Sequence, residues 1–218
     1  MTHRPSSVIH IDGKKISRND PVYFIAEIGS NFDRDLSRAS DLIYLAKEAG
    51  ADAAKFQHYT AGSLVSDIGF RQLGGRQSHQ ASWKKSVFET YQDASLNRDW
   101  TAVLKQACDE AGITFFTSPY SLELVDYVEP FVSAYKVGSG DITWLEIIER
   151  MVKASCPPDG VVLDPFMGSG TTAVAAKRCG RNFVGFELNA TYCEMISARL
   201  AAQDEPASGD VQLSICSK

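Results

Sequence analysis

The sequence has no long apolar run, no charge excess that defines a partner and no cysteine pattern. No segment of its 218 residues approaches the roughly 18 consecutive apolar residues of a membrane span, so no transmembrane helix is expected. The N-terminal MTHRPSSVIH lacks the apolar core of a signal peptide. The cysteines, Cys108, Cys156, Cys179, Cys193 and Cys216, are odd in number, scattered and without a CxxC pair. That argues against a disulfide framework and a zinc site, and predicts reduced thiols in a cytoplasmic chain. A net charge of −5 gives no global pull toward nucleic acid or anionic lipid, a local basic patch apart. What remains, 44% apolar and 22% charged residues, is an ordinary globular composition, enough for one α/β domain or two small ones.

Hydrophobic spacing predicts strands alternating with helices. Residues 8–17 read as a hairpin turning at Asp12-Gly13. Residues 23–28 form a short apolar run, expected as a strand buried on both faces. A helical stripe of Leu36, Ala39, Leu42, Ile43, Ala46 and Ala49 ends at Gly50. Residues 53–57 give a second strand, and 60–95 read as a long functional loop. The stripe from Trp100 to Ala111 stops at Gly112, before a third strand at 113–117. Ser121 is expected to cap a short helix, and 134–137 to be strand four. Thr143 to Glu146 has the form of a capping box for a helix reaching Val152. After the Cys156-Pro-Pro-Asp-Gly160 break come strand 161–163, helix 170–179 and strand 183–186. Asn189 caps a last helix carrying Tyr192, Met195, Ile196 and Leu200 on one face, and a polar tail from about 203 is expected to be disordered. The fold class is α/β, with six mainly parallel strands joined by right-handed crossovers.

The first four strands end in polar groups: Glu27 in AEIGSN, Lys55 and Gln57 in KFQH, Thr117 in FFTSPY, and Lys136 and Ser139 in YKVGSGD. In a parallel α/β barrel the carboxyl ends of all strands face one mouth. Two lysines, a hydroxyl and glycine-rich backbone there suit a phosphorylated, carboxylated small molecule. A Glu and a Lys on neighbouring strands also pair for purely structural reasons. As an ordered set, however, the residues favour ligand binding.

The segments AEIGSN, KFQ, FFTSPY and YKVGSGDIT resemble the N-acetylneuraminate (sialic acid) synthase family over about residues 8–146. The resemblance implies the first four βα units of a (β/α)8 TIM-type barrel and condensation of phosphoenolpyruvate with an N-acetylated amino sugar. It implies catalytic roles for Glu27, Lys55 and Gln57, with Glu27 as acid/base or orienting group. Thr117, Lys136 and Ser139 would contact substrate. The family also uses a divalent metal, often manganese, held by histidines of later strands. Here the histidines are His3, His10, His58 and His79, so the manganese ligands are missing and the chain alone is not expected to be a competent synthase.

Residues 161–173 place a glycine loop between a strand and a helix, with Gly168 and Gly170 allowing tight turning and the helix N-terminus offering N–H groups. Glu187 ends the following strand, where a carboxylate can accept from ribose hydroxyls. LDPFMGSGTTAVAAKRCGRNFVGFELN resembles the S-adenosylmethionine-binding segment of DNA amino-methyltransferases acting on adenine N6 or cytosine N4, over about 147–202. It implies a Rossmann-like βαβα unit and, at the cofactor's methionine end, Asp164, Phe166, Gly168, Ser169, Gly170 and Thr171. Glu187 would hold the ribose, and DNA is a partner by resemblance alone. The Asp/Asn/Ser-Pro-Pro-Tyr/Phe motif that binds an extruded base is absent, since Cys156-Pro-Pro-Asp159 lacks both the acceptor and the aromatic.

The expected organisation is thus 1–146, 147–202 and a tail, 203–218, with the join inside 143–155. An open half-barrel leaves apolar side chains bare, each forfeiting about 1.5–3 kcal/mol against a total domain stability of roughly 5–15 kcal/mol. Three remedies are open: the last two strands extend the sheet, the favoured one; two copies dimerise through open edges; or the chain is only marginally folded.

Overall fold

The computed structural model describes residues 8–17, 19–73 and 83–203. They fall into two compact units, Val8–Lys136 and residues 137–203. His3, His79, Cys216 and the tail from 204 lie outside the described residues.

The first unit opens with strands β1 (Val8–Ile11) and β2 (Lys14–Ser17), an antiparallel pair. Positive φ at both Asp12 (51°) and Gly13 (75°) supplies the tight turn between them. A three-stranded parallel sheet follows, in the order β3 (Ile25–Gly29), β4 (Ala53–His58), β5 (Thr114–Pro119). Helix α1 (Leu36–Glu48) connects the first two strands, and Asp35 caps it by accepting from the Ser37 and Arg38 N–H groups. Between β4 and β5 lie α2 (Ala61–Leu64), α3 (Asp67–Leu73), α4 (Val87–Ala94) and α5 (Thr101–Ala111), the last ended by Gly112 at φ +66°. Helix α6 (Leu122–Val128) follows β5, capped by Ser121.

Helices α1 and α5 cover one face of this sheet. Their Ile43 and Leu104 are fully buried with Phe56 and Phe115 in one core, each worth about 1.5–3 kcal/mol of burial. Because strand side chains alternate, Ala26, Ile28, Ala54, Phe56 and Phe115 face the helices. Glu27, Lys55, Gln57, Phe116 and Ser118 take the opposite face.

The second unit contains α7 (Leu145–Ser155), β6 (Val161–Asp164), α8 (Thr171–Arg178), β7 (Asn182–Gly185) and α9 (Ala190–Ala201). β6 and β7 pair in parallel, with a small core of Met167, Ala173, Val174, Ala176, Phe183, Ile196 and Leu200.

Several expectations are corrected. The strand at 23–28 is not buried on both faces: β3 is an edge strand, and Phe24 and Ile25 are exposed. The supposed loop at 60–95 contains α2, α3 and α4, and Thr60 and Ser86 each form a capping box. Strand four does not form. Only Tyr135 bridges to Thr117, with the Lys136 N–H donating to the Thr117 carbonyl at 3.2 Å. Gly138 and Gly140 follow at once, and glycine weakens a strand. So, among the described residues, five parallel strands form rather than six.

β6 and β7 also make a sheet of their own instead of extending the first. The capping box at Thr143 is absent. Trp144 holds the cap position of α7 without a side-chain cap bond, and its indole N–H donates to Glu146 instead. Tyr192 and Met195 are exposed, so only Ile196 and Leu200 of the expected α9 stripe are buried.

Candidate functional site

A buried cation and an unpaired hydroxyl distinguish the first unit's site. Lys55, from the middle of β4, is 4% exposed, and its ammonium donates to Glu27 Oε2 at 2.5 Å. The Glu27 side chain is 54% exposed, so the pair has one member inside and one at the surface. A β-bulge between Glu27 and Gly29 shifts the register against β4. Gly29 accommodates it at φ +57°, where an added Cβ would meet Glu27 Oε1 at 3.4 Å. Gln57 lies two residues along the same face, partly buried, opposite Ser118.

Ser118 was not singled out by sequence reasoning. Its Oγ is buried and makes no hydrogen bond. A buried hydroxyl without a partner costs about 1–3 kcal/mol, and this one shares a face with Lys55. Thr117, expected to touch substrate, is on the other face. It is fully buried and its Oγ1 lies 2.7 Å from His58 Nδ1, while His58 Nε2 lies 2.9 Å from Thr101 Oγ1. The strand's two-residue period sets Thr117 on the helix-packed face with Phe115 and Ser118 on the face of Lys55 and Gln57.

His58 ties β4, β5 and α5 together. Burial first, and then the charge of Arg98, push its pKa down to about 4. Nearby, Tyr59 is buried against Tyr91 and Tyr120, with its hydroxyl 3.1 Å from Ser30 Oγ. Burial raises its pKa. Lys136 is partly buried just after the Tyr135 bridge, and Ser139 is exposed in a 3₁₀ turn of the second unit, Ser139–Asp141.

Among the described residues, no three side chains of His, Cys, Asp or Glu converge on a point that could hold a metal. His58 has both ring nitrogens engaged by threonines. The described residues do not offer a manganese site. Cys108 is an inert core thiol, its pKa pushed up to about 12 chiefly by burial.

The second unit builds its loop from β6 to α8. Asp164 Oδ1 accepts the Phe166 N–H at 3.0 Å, and Phe166 itself is 89% exposed. Gly168 (φ +53°) and Gly170 (φ +84°) adopt left-handed backbone, which glycine alone takes without penalty. Glu187 reaches into the loop: Oε2 accepts the Gly168 N–H at 2.8 Å and Oε1 the Asn189 N–H at 2.8 Å. These bonds, the one from Asn189 foremost, lower its pKa. The expected ribose acceptor is thus already engaged by backbone. Arg199, also missed in the sequence, reaches the same loop from α9: its Nη1 is 2.7 Å from the Ser169 carbonyl, 3.1 Å from Ser169 Oγ and 3.3 Å from Thr171 Oγ1. Thr171 is buried as the first residue of α8. None of the helices among the described residues is long and apolar enough to cross a membrane.

Comparison with known proteins divides the chain in the same order. Residues 145–198 match the DNA methylase family model. Over 47 residues the chain is 57% identical to a type II methyltransferase of Moraxella bovis, covering 22% of this chain and 18% of that protein. Over 146 residues it is 32% identical to the N-acetylneuraminate-9-phosphate synthase of Homo sapiens, covering 66% of this chain and 40% of that protein. Among solved structures, an N-acetylneuraminic acid (sialic acid) synthetase from Leptospira borgpetersenii superposes with a TM-score of 0.61 at 22% identity, over 85% of this chain and 60% of that one. That likeness concerns the fold, a TIM-type one. The chain spans well under half the length of both curated relatives. The NeuB family model matches residues 42–162, more than half of the sequence, and the chain belongs to the NeuB family.

Proposed function

We propose that this chain carries one wall of a sugar-acid synthase site, which binds a carboxylated, phosphorylated molecule of the phosphoenolpyruvate type but does not turn over by itself. The observation that carries the reading is the buried Lys55 ammonium on the same strand face as the unpartnered Ser118 hydroxyl. A buried cation needs a compensating anion, and Glu27, its present partner, is exposed enough to exchange with solvent or ligand. Gln57 adds an amide on that face. Lys136, from YKVGSGD, is read as a further phosphate contact.

The fold supports reading the first unit as the opening βα units of a TIM-type barrel, within a segment 1–146. Residues 147–202 are then a Rossmann-like methyltransferase segment. An amino sugar is the second substrate implied by the named relatives. Turnover by this chain alone is not expected, because the described residues offer no manganese site. The setting is read as cytoplasmic. Since β6 and β7 do not extend the first sheet, two alternatives remain, pairing of two copies through the open edge of β3 or a chain that is only marginally folded. Sedimentation at several concentrations tests that. For the site, purified chain is incubated with phosphoenolpyruvate, N-acetylmannosamine and manganese. No nonulosonic acid is expected, and its formation would refute the incomplete-site reading.

A second reading is favoured by one observation, the left-handed glycine loop with Glu187 directed at it. It makes the segment 147–202 a binder of S-adenosylmethionine, with Asp164, Phe166, Gly168, Ser169, Gly170 and Thr171 toward the methionine end. Methylation of DNA is not expected without a base-holding proline motif. Failure of S-adenosylhomocysteine to bind at millimolar concentration would remove this reading. The two readings together describe a chimeric binding module.

A further inference from the structure

The glycine loop is held from outside by α9. Where Gly170 turns at φ +84°, an added Cβ would lie 2.7 Å from Ile196 Cγ1, so α9 packs directly on the loop backbone. One turn further along α9, a single guanidinium nitrogen of Arg199 reaches three oxygens of Ser169 and Thr171, the residues on either side of that glycine. Arg199 is partly buried, and the loop it grips lies 28 to 30 residues earlier in the chain. A cation at a helix N-terminus opposes the helix dipole. This one is offset by three oxygen contacts, which orient both hydroxyls and leave the loop N–H groups free of it.

We propose that Arg199 is the positioning residue of this loop, fixing Ser169-Gly170-Thr171 in the shape that receives the amino-acid end of an adenosyl cofactor, while Glu187 serves the ribose end. This rests on the second reading above. Arginine's partners here are contacted by one nitrogen and not by the planar fork. A lysine of sufficient reach therefore replaces part of the function, which is not true of sites using bidentate geometry.

The test compares the intact chain with Arg199→Ala, Arg199→Lys and Glu187→Gln, using calorimetric titration with S-adenosylhomocysteine and with adenosine, and hydrogen exchange of the free proteins. Arg199→Ala should weaken S-adenosylhomocysteine by about tenfold and adenosine by less than about twofold, as loss of a charged hydrogen-bond donor predicts. Arg199→Lys should recover part of the loss, and Glu187→Gln should weaken both ligands. Amide exchange at 168–172 should rise in Arg199→Ala while that of α9 stays unchanged. Equal weakening of both ligands, or unchanged affinity for S-adenosylhomocysteine, overturns the proposal. If the unaltered chain binds neither ligand, the cofactor reading fails by itself. Loop exchange then decides for Arg199: a selective rise upholds its positioning role, and no change refutes it.

Discussion

The two units build their candidate sites in opposite ways. The first gathers Glu27, Lys55 and Ser118 from three strands, and the sheet's register decides which side chains meet. The second draws its parts from one stretch, 164–199, where a loop is braced by the strand and helix that follow it. A site of the first kind depends on the whole sheet. A site of the second kind is self-contained, and it tolerates new surroundings as long as α8, β7 and α9 stay together. The burial pattern agrees: Lys55 and Ser118 are nearly inaccessible, whereas Phe166 and Leu188 beside the loop stand exposed at 89% and 92%.

The largest way to break this contrast is at Gly170. Alanine there would combine a left-handed backbone penalty with overpacking against Ile196, at a cost of about 3–4 kcal/mol. Chemical denaturation of Gly170→Ala should show the loss confined to the second unit. If the first unit melts equally, the units are not independent in stability.

Next comes His58. Its pKa is about 4 in the fold against an ordinary value near 6.5, so the folded state prefers the neutral ring. Stability is fully present above about pH 6.5 and declines as pH falls toward 4, by up to about 3 kcal/mol. Urea titrations across this window should show the slope, and His58→Gln should flatten it. An unchanged slope would mean that carboxylates alone cause the acid sensitivity.

A smaller effect separates the neighbours Thr117 and Ser118. Thr117→Val removes a partner from buried His58 and should cost about 1–2 kcal/mol without touching ligand binding. Ser118→Ala deletes an unpaired hydroxyl and should leave stability unchanged or raise it by up to about 1 kcal/mol. Opposite results in thermal melts would return Thr117 to the ligand face.

That pair also shows what the sequence could and could not reveal. The turn at Asp12-Gly13, the caps Ser121 and Asn189 and the helix stop at Gly112 were legible because each is decided by local backbone chemistry. The side taken by Thr117 was not, since shifting a strand's parity by one residue moves every side chain to the other face. The helices in 60–95 were missed for want of a long stripe, although Ser86-Val-Phe-Glu89 carried a readable capping box. At 134–137 the apolar run was read as a strand although Gly138 and Gly140, which weaken one, follow at once. Arg199 was invisible because its contacts are made almost thirty residues away.

The most direct test of the central claim, that the Lys55 face is a ligand-binding wall, is calorimetric titration of the chain with phosphoenolpyruvate beside Lys55→Met, Ser118→Ala and Thr117→Val. Binding by the unaltered chain and by Thr117→Val, weakened about tenfold or more by the other two changes, is the predicted result. Binding that is indifferent to both Lys55 and Ser118, or no binding by a folded chain, would contradict the account.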